Sequence, residues 1–231
     1  MNKLLPLYFN LQGKTILMVG AGRVALEKLE KLLATETSVV ILAPEIIDEI
    51  RALAKEHPDR ITLTKRKYEV GDAIGYPLVI SATNSSEINE YIVKDCRDRN
   101  IIVNAVDDPK HCDFLFSSQI FYGPLQVSIS SAGQLPGLAK CLREIFEAIL
   151  PKEHLPELER LIAFRRDLKK VIPDTKERTK VFRRLLDTWE EEYINKKDIL
   201  RAANQKKRFA LSPLLKNFIA KKIINPTEKR I

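Results

Sequence analysis

The chain has 231 residues, 45% of them apolar and 30% charged, with a net charge of +8 and three cysteines. No apolar run approaches the roughly 20 residues that span a bilayer, and the opening MNKLLPLYFNLQGK has no long apolar segment or small-residue cleavage site, so no membrane span or signal peptide is expected. Cys96, Cys112 and Cys141 are scattered, odd in number and free of CxxC spacing, which reads as reduced thiols in a cytoplasmic protein without a structural disulfide or zinc.

In chain order, KTILMV (14–19) is short, continuous and apolar, as a buried parallel strand is. It runs into GAGRVALEKLEKLLA, where Ala25, Leu29, Leu32 and Leu33 recur at helical spacing. SVVIL (38–42) is the next strand. Then Ile46, Ile50, Leu53 and Ala54 fall on one helical face. Strands follow at 60–66, 76–82 and 100–106, with the helix SEINEYIVKDCRDR between the last two. Alternating strands and helices imply a parallel sheet covered by helices, an α/β fold of Rossmann type.

The pattern changes after residue 113. Strands over 114–121 and 125–131 flank the turn Tyr122-Gly123-Pro124, and a helix starts near Pro136 with Leu138, Leu142, Ile145, Phe146 and Ile149 inward. Beyond Pro151 and Pro156 the chain reads helical, with Val181, Leu185 and Trp189 as a packing stripe. The expected organisation is a dinucleotide-binding domain (1–113), a hairpin-and-helix segment (114–150) and a basic helical domain (151–231).

Charge divides along the same line. Residues 1–150 carry 17 Lys and Arg against 19 Asp and Glu, a balance of −2; residues 151–231 carry 22 against 12, a balance of +10. A basic third attracts polyanions, or is a solvated helical surface.

The first strand-to-helix turn is Gly20-Ala21-Gly22-Arg23-Val24-Ala25, a GxGxxA. The first glycine permits the tight turn and the second lets the backbone approach a pyrophosphate. The alanine keeps helix and strand close, and the helix N-terminus faces the anion. A dinucleotide site often has an acidic residue at the end of the second strand, for the ribose. Here that strand ends in Ala43-Pro44, with Glu45 one step later and no arginine for a 2′-phosphate. SATNSSEIN, after the fourth strand, and NAVDDPKHCDF, after the fifth, open onto the same crevice.

The segments LPLYFNLQGKTILMVGAGRVALEKLEKLL, LVISATNSSEIN, IIVNAVDDPKHCDFLFSSQI and VSISSAGQLPGLAKCLRE together resemble precorrin-2 dehydrogenases, including the N-terminal half of multifunctional sirohaem synthases. With looser matches the likeness covers roughly residues 4–186. The resemblance implies NAD-dependent oxidation of precorrin-2 to sirohydrochlorin, with insertion of a ferrous or cobalt ion as a further activity of some members. It implies that Gly20, Gly22, Arg23 and Val24, then Pro44 and Glu45, then Ala82 and Thr83 hold the cofactor. It places the catalytic carboxylate on Asp107 and the tetrapyrrole against Asn104, Ser130, Ser131 and Gly133. It implies a homodimer joined through the segment after the Rossmann domain. A polycarboxylate tetrapyrrole suits the basic C-terminal third. Read from the residues alone, Asp107 is equally a turn-capping aspartate before Asp108-Pro109.

No resident metal is expected. His111, Cys112 and Asp113 are adjacent, and on an extended strand they would point to alternating faces. His57 and His154 read as surface residues. Two rival readings remain at this stage: a metallochelatase that retains the dinucleotide site, and an NAD-sensing module whose basic domain binds nucleic acid. In the second, the basic residues would form a stripe; here they are interrupted by acids, as in EEEYINKKD, so no nucleic-acid partner is expected.

Overall fold

The computed structural model describes residues 4–106, 108–150 and 155–193. The chain divides into two compact units, Met1–Phe116 and Ser117–Ile231.

The first unit is an all-parallel five-stranded sheet. Its strands are β1 (Thr15–Val19), β2 (Ser38–Leu42), β3 (Ile61–Thr64), β4 (Leu78–Ser81) and β5 (Ile102–Ala105), in the order β3-β2-β1-β4-β5. Helices α1 (Arg23–Leu33), α2 (Asp48–Glu56) and α3 (Ser86–Asp98) connect them. Alternation along β1 shows why its run is continuously apolar. Ile16 and Met18 enter a core with Ala25, Leu29 and Ile50, while Leu17 and Val19 enter a second core with Ile92, Val93 and Cys96. A strand covered on both faces has no polar side to show. Each fully buried Ile or Leu there contributes roughly 1.5–3 kcal/mol.

The order reverses at β1, which pairs with β2 on one side and β4 on the other. That reversal opens a crevice at the carboxyl ends of β1 and β4. Strand β2 spans the expected 38–42, and the other four are one to three residues shorter than the runs read from the sequence.

Buried polar side chains in this unit are paired, as burial requires. Thr37 donates to the Lys14 carbonyl at 2.8 Å. Asp95 accepts from the Tyr68 hydroxyl at 2.6 Å and the Gly71 N–H at 3.0 Å, and pairs with Arg99. This ties the loop before β4 to α3. Burial and the Asp95 carboxylate together push the Tyr68 phenol well above its ordinary range.

The second unit begins with the antiparallel hairpin β6 (Ser118–Tyr122) and β7 (Leu125–Ile129), closed by Gly123 at φ +54° and Pro124. Helices α4 (Pro136–Ile149), α5 (Leu155–Val171) and α6 (Thr175–Tyr193) follow. Ile120, Tyr122 and Leu158 form its small core with Val127, Leu155 and Leu161 against them.

Three expectations are corrected here. The hairpin starts at Ser118 rather than 114, because Phe114 and Phe116 pack onto the first unit's core instead of entering a strand. Among the described side chains of α4 the buried ones are Ala139, Cys141 and Ile145, whereas Leu138 and Phe146 are 40% and 43% exposed; the Ile149 side chain lies outside the described residues. The apolar stripe is wider than the face the unit covers. The segment at His111 is not extended: Pro109–His111 make one 3₁₀ turn, because the proline lacks a strand N–H and its fixed φ suits a first helical position. Within the second-unit stripe Val181 and Leu185 are half-buried, and the Trp189 side chain lies outside the described residues. No helix among the described residues is long and apolar enough to cross a membrane.

Candidate functional site

Gly20 has φ +104°, a conformation an L-residue side chain resists. A Cβ added there would lie 2.2 Å from the Ala82 carbonyl oxygen and 3.0 Å from the Thr83 nitrogen. The loop after β1 therefore sits directly on the loop after β4. Backbone bonds knit these loops to the one after β2: Gly20 N–H to Leu42 O at 2.9 Å, Ala82 N–H to Val19 O at 2.7 Å, and Ile47 N–H to Ala21 O at 3.2 Å.

Gly22 is the contrasting glycine. Only Asn84 Oδ1, at 4.0 Å, comes near the position its Cβ would take. It is the N-cap of α1 but supplies no side-chain cap, and the first helical turn contains no acidic residue. The N–H groups of that turn lack intrahelical acceptors and carry the positive end of the helix dipole. An open glycine beside an uncapped helix start is a fitting cradle for a pyrophosphate. Arg23 and Val24 are exposed on the first turn of α1, and Pro44 and Glu45 are exposed after β2. Ala82 is buried and Thr83 half-buried after β4.

One amide organises the β4 end. Asn89, on α3, accepts at Oδ1 from Ser81 Oγ (2.7 Å), Thr83 Oγ1 (2.7 Å) and the Thr83 N–H (3.3 Å), and its Nδ2 donates to Thr83 O (3.3 Å). Ser85 caps α3 by accepting from the Ile88 N–H at 3.3 Å. Ser81, Asn84 and Asn89 are not among the residues the sequence singled out. The available signal was a serine ending an otherwise apolar strand, with an asparagine eight positions on in the next helix.

At the end of β5, Asn104 is 5% exposed and donates to Phe114 O at 2.8 Å and to Cys112 Sγ at 3.3 Å. The Cys112 thiol is shared between Ala105 O at 3.0 Å and Asp108 O at 3.2 Å. Burial pushes that thiol above its ordinary range, keeping it a donor. Asp113 closes the strand edge: its carboxylate accepts from the Val103 N–H and its own N–H donates to Val103 O, both at 2.9 Å. Asp107 lies outside the described residues; its neighbours Val106 and Asp108 leave the carboxyl end of β5. The Asp108 carboxylate bonds His111 Nδ1, and that bond holds it below the usual carboxylate range.

Ser130, Ser131 and Gly133 belong to the second unit, in the turn that leads into α4. Ser131 Oγ accepts from the Leu135 N–H at 2.9 Å, Ser130 Oγ accepts from the Ala132 N–H at 3.1 Å, and Gly133 has φ +78°. Within the first unit, the structure thus brings together the ends of β1, β2 and β4 and their loops. Among the described residues no group of three or more His, Cys, Asp or Glu is gathered as a metal site.

Comparison with known proteins agrees with this geometry. Residues 7–118 match a family model described as putative NAD(P)-binding. The siroheme synthase of Buchnera aphidicola subsp. Acyrthosiphon pisum is 35% identical over 214 residues, 92% of this chain and 43% of that protein. Siroheme synthase 1 of Aeromonas hydrophila is 38% identical over 181 residues, 78% of this chain and 38% of that protein. The chain spans about two fifths of the length of these relatives. The solved structure of SirC, precorrin-2 dehydrogenase, superposes with a TM-score of 0.69 at 17% identity, covering 89% of this chain and all of that one, and so shares the fold. The chain is thus homologous to these siroheme synthases over about two fifths of their length.

Proposed function

We propose that the chain is an NAD-dependent dehydrogenase that oxidises precorrin-2, a polycarboxylate tetrapyrrole, to sirohydrochlorin. The observation that carries this is the cradle at the β1 end. Gly20 interlocks with Ala82, Gly22 is open and the start of α1 is uncapped, in a chain homologous to siroheme synthases. NAD, when bound there, accepts a hydride. The chain's own residues do the rest. The N–H groups at the start of α1 bind the pyrophosphate. Pro44, Glu45, Ala82 and Thr83 border the dinucleotide. Asp107 takes the proton that leaves with the hydride, a role that contributes about 10²–10⁴-fold when the base is positioned. The basic last third draws the substrate carboxylates.

NAD is the preferred cofactor, because Ala43-Pro44-Glu45 offers no cation to a 2′-phosphate. The test is a spectrum. Precorrin-2 plus NAD should give the sirohydrochlorin absorption and stoichiometric NADH, with kcat/KM higher for NAD than for NADP. Absence of both products rejects the enzyme reading, and a preference for NADP rejects the cofactor assignment.

We infer a homodimer joined through the second unit. In that unit Phe121, Leu125, Leu138 and Phe146 are 40–48% exposed, and a two-stranded hairpin is marginal without further packing. Light scattering should give twice the chain mass at micromolar concentration. A monomer there overturns the assignment.

A further inference from the structure

We propose that Asn89 is a positioning residue of the dinucleotide site, acting through the Ala82–Thr83 peptide that backs the glycine turn. The inference rests on the dinucleotide reading above and adds a residue to it.

Asn89 grips Thr83 at both main-chain groups, accepting from its N–H and donating to its carbonyl, each at 3.3 Å. The amide has only one orientation that serves this. A backbone N–H can only donate, so Oδ1 faces it; a carbonyl can only accept, so Nδ2 faces that. The hydroxyls of Ser81 and Thr83 add two donors at 2.7 Å to the same oxygen. Ser81 is fully buried, so its hydroxyl has no water to fall back on. One side chain thereby fixes the rotation of the backbone on both sides of Thr83.

That rotation matters because of what the peptide touches. The Ala82 carbonyl oxygen lies 2.2 Å from where a Gly20 Cβ would be, so the glycine turn has no slack against it. The following residue, Asn84, is the nearest group to the open side of Gly22, at 4.0 Å. A peptide free to turn at Thr83 would shift both the back wall and the rim of the cradle. Asn89 reaches neither Gly20 nor Gly22 in its own hydrogen bonds, so its influence on a bound dinucleotide is indirect.

Two substitutions test this. Asn89→Leu keeps the branched heavy-atom skeleton and removes donor and acceptor together. Asn89→Asp keeps the accepting oxygen, replaces the donating NH2 with a second oxygen and adds a charge. Kd for NAD, measured by direct titration on the full chain, should rise about tenfold in both, the usual scale for lost hydrogen bonds. The measurement is made at a temperature where circular dichroism shows both variants folded. KM for NAD should rise in parallel, with kcat at saturating NAD within twofold of the parent. A role in stability alone would lower the melting temperature and leave Kd unchanged; that result overturns the proposal. A rise confined to Asn89→Asp would mark repulsion of the phosphates by charge, and overturns it too. If the parent chain does not bind NAD, the dinucleotide reading falls and this one with it. Should Asn89→Leu not fold, Ser81→Ala, which removes one donor to the same oxygen, should raise Kd about threefold, and an unchanged Kd there counts against the clamp.

Discussion

Asp107→Asn should reduce precorrin-2 oxidation on the order of 10²-fold or more, while Kd for NAD changes less than about twofold. The substitution keeps the shape of the side chain and removes its basicity. It leaves the cradle at Gly20 and Gly22 untouched. Its neighbour is the control. Asp108 is already engaged by His111, and that bond holds its carboxyl below the usual range. A carboxylate with a depressed pKa is a poorer base at neutral pH, so Asp108 does not stand in for Asp107. The sign of the linkage follows: the Asp108–His111 contribution is present above the ordinary carboxylate pKa and is lost as pH falls through the depressed value. Asp108→Asn should leave turnover within a few-fold at pH 7 and remove that acid-side dependence. Equal damage from the two substitutions, or greater damage from Asp108→Asn, would move the base to the wrong residue and sink the assignment. Steady-state rates of NADH formation for both variants decide it.

The sheet was legible because β1 and β4 are buried on both faces and so print as apolar runs, such as ILMV and LVI. The GxGxxA was legible because its spacing states a geometry, and Gly20 does have the positive φ and the close contact that geometry needs. What the sequence did not show was how the loops are held. Asn89 acts eight residues from Ser81 and six from Thr83, through hydrogen bonds that no periodicity encodes. Cys112 stands among potential metal ligands in the string KHCDF; in the fold its half-buried thiol is shared between two carbonyls. The inward face of α4 was misjudged at Leu138 and Phe146 for a different reason. An apolar stripe says that something covers it, and not whether the cover comes from the same chain. The one-turn helix at Pro109–His111 escaped because three residues carry too little pattern to set against a strand reading.

Gly20→Ala should be the most damaging small change in the first unit, and Gly22→Ala explains why that is informative. At Gly20 two costs add. The positive φ disfavours any Cβ by about 1–2 kcal/mol, and overpacking against a close-packed neighbour adds typically 1–3 kcal/mol. The neighbour here is backbone, 2.2 Å away, and it cannot retreat easily: Ala82 N–H is bonded to Val19 O at 2.7 Å and the next peptide is gripped by Asn89. A loss of about 2–5 kcal/mol is a large share of the roughly 5–15 kcal/mol a domain has. For a chain of this size that lowers the melting temperature by roughly 5–15 °C. Kd for NAD should rise more than about 10²-fold, since a displaced turn loses the N–H groups of α1 as a unit. At Gly22 the backbone has φ −94°, which any residue adopts, and the nearest atom to an added Cβ is 4.0 Å away. Gly22→Ala should therefore cost little beyond a weaker N-cap, about 1 kcal/mol, and melt within roughly 4 °C of the parent, yet still weaken NAD binding, because the methyl group occupies the space through which the pyrophosphate approaches the helix. Melting curves and NAD titrations on the two variants separate a turn that must be glycine for the fold from one that must be glycine for the ligand. Should Gly20→Ala melt and bind like the parent, the two loops do not interlock as described; should Gly22→Ala bind NAD unchanged, the pyrophosphate does not lie on the start of α1.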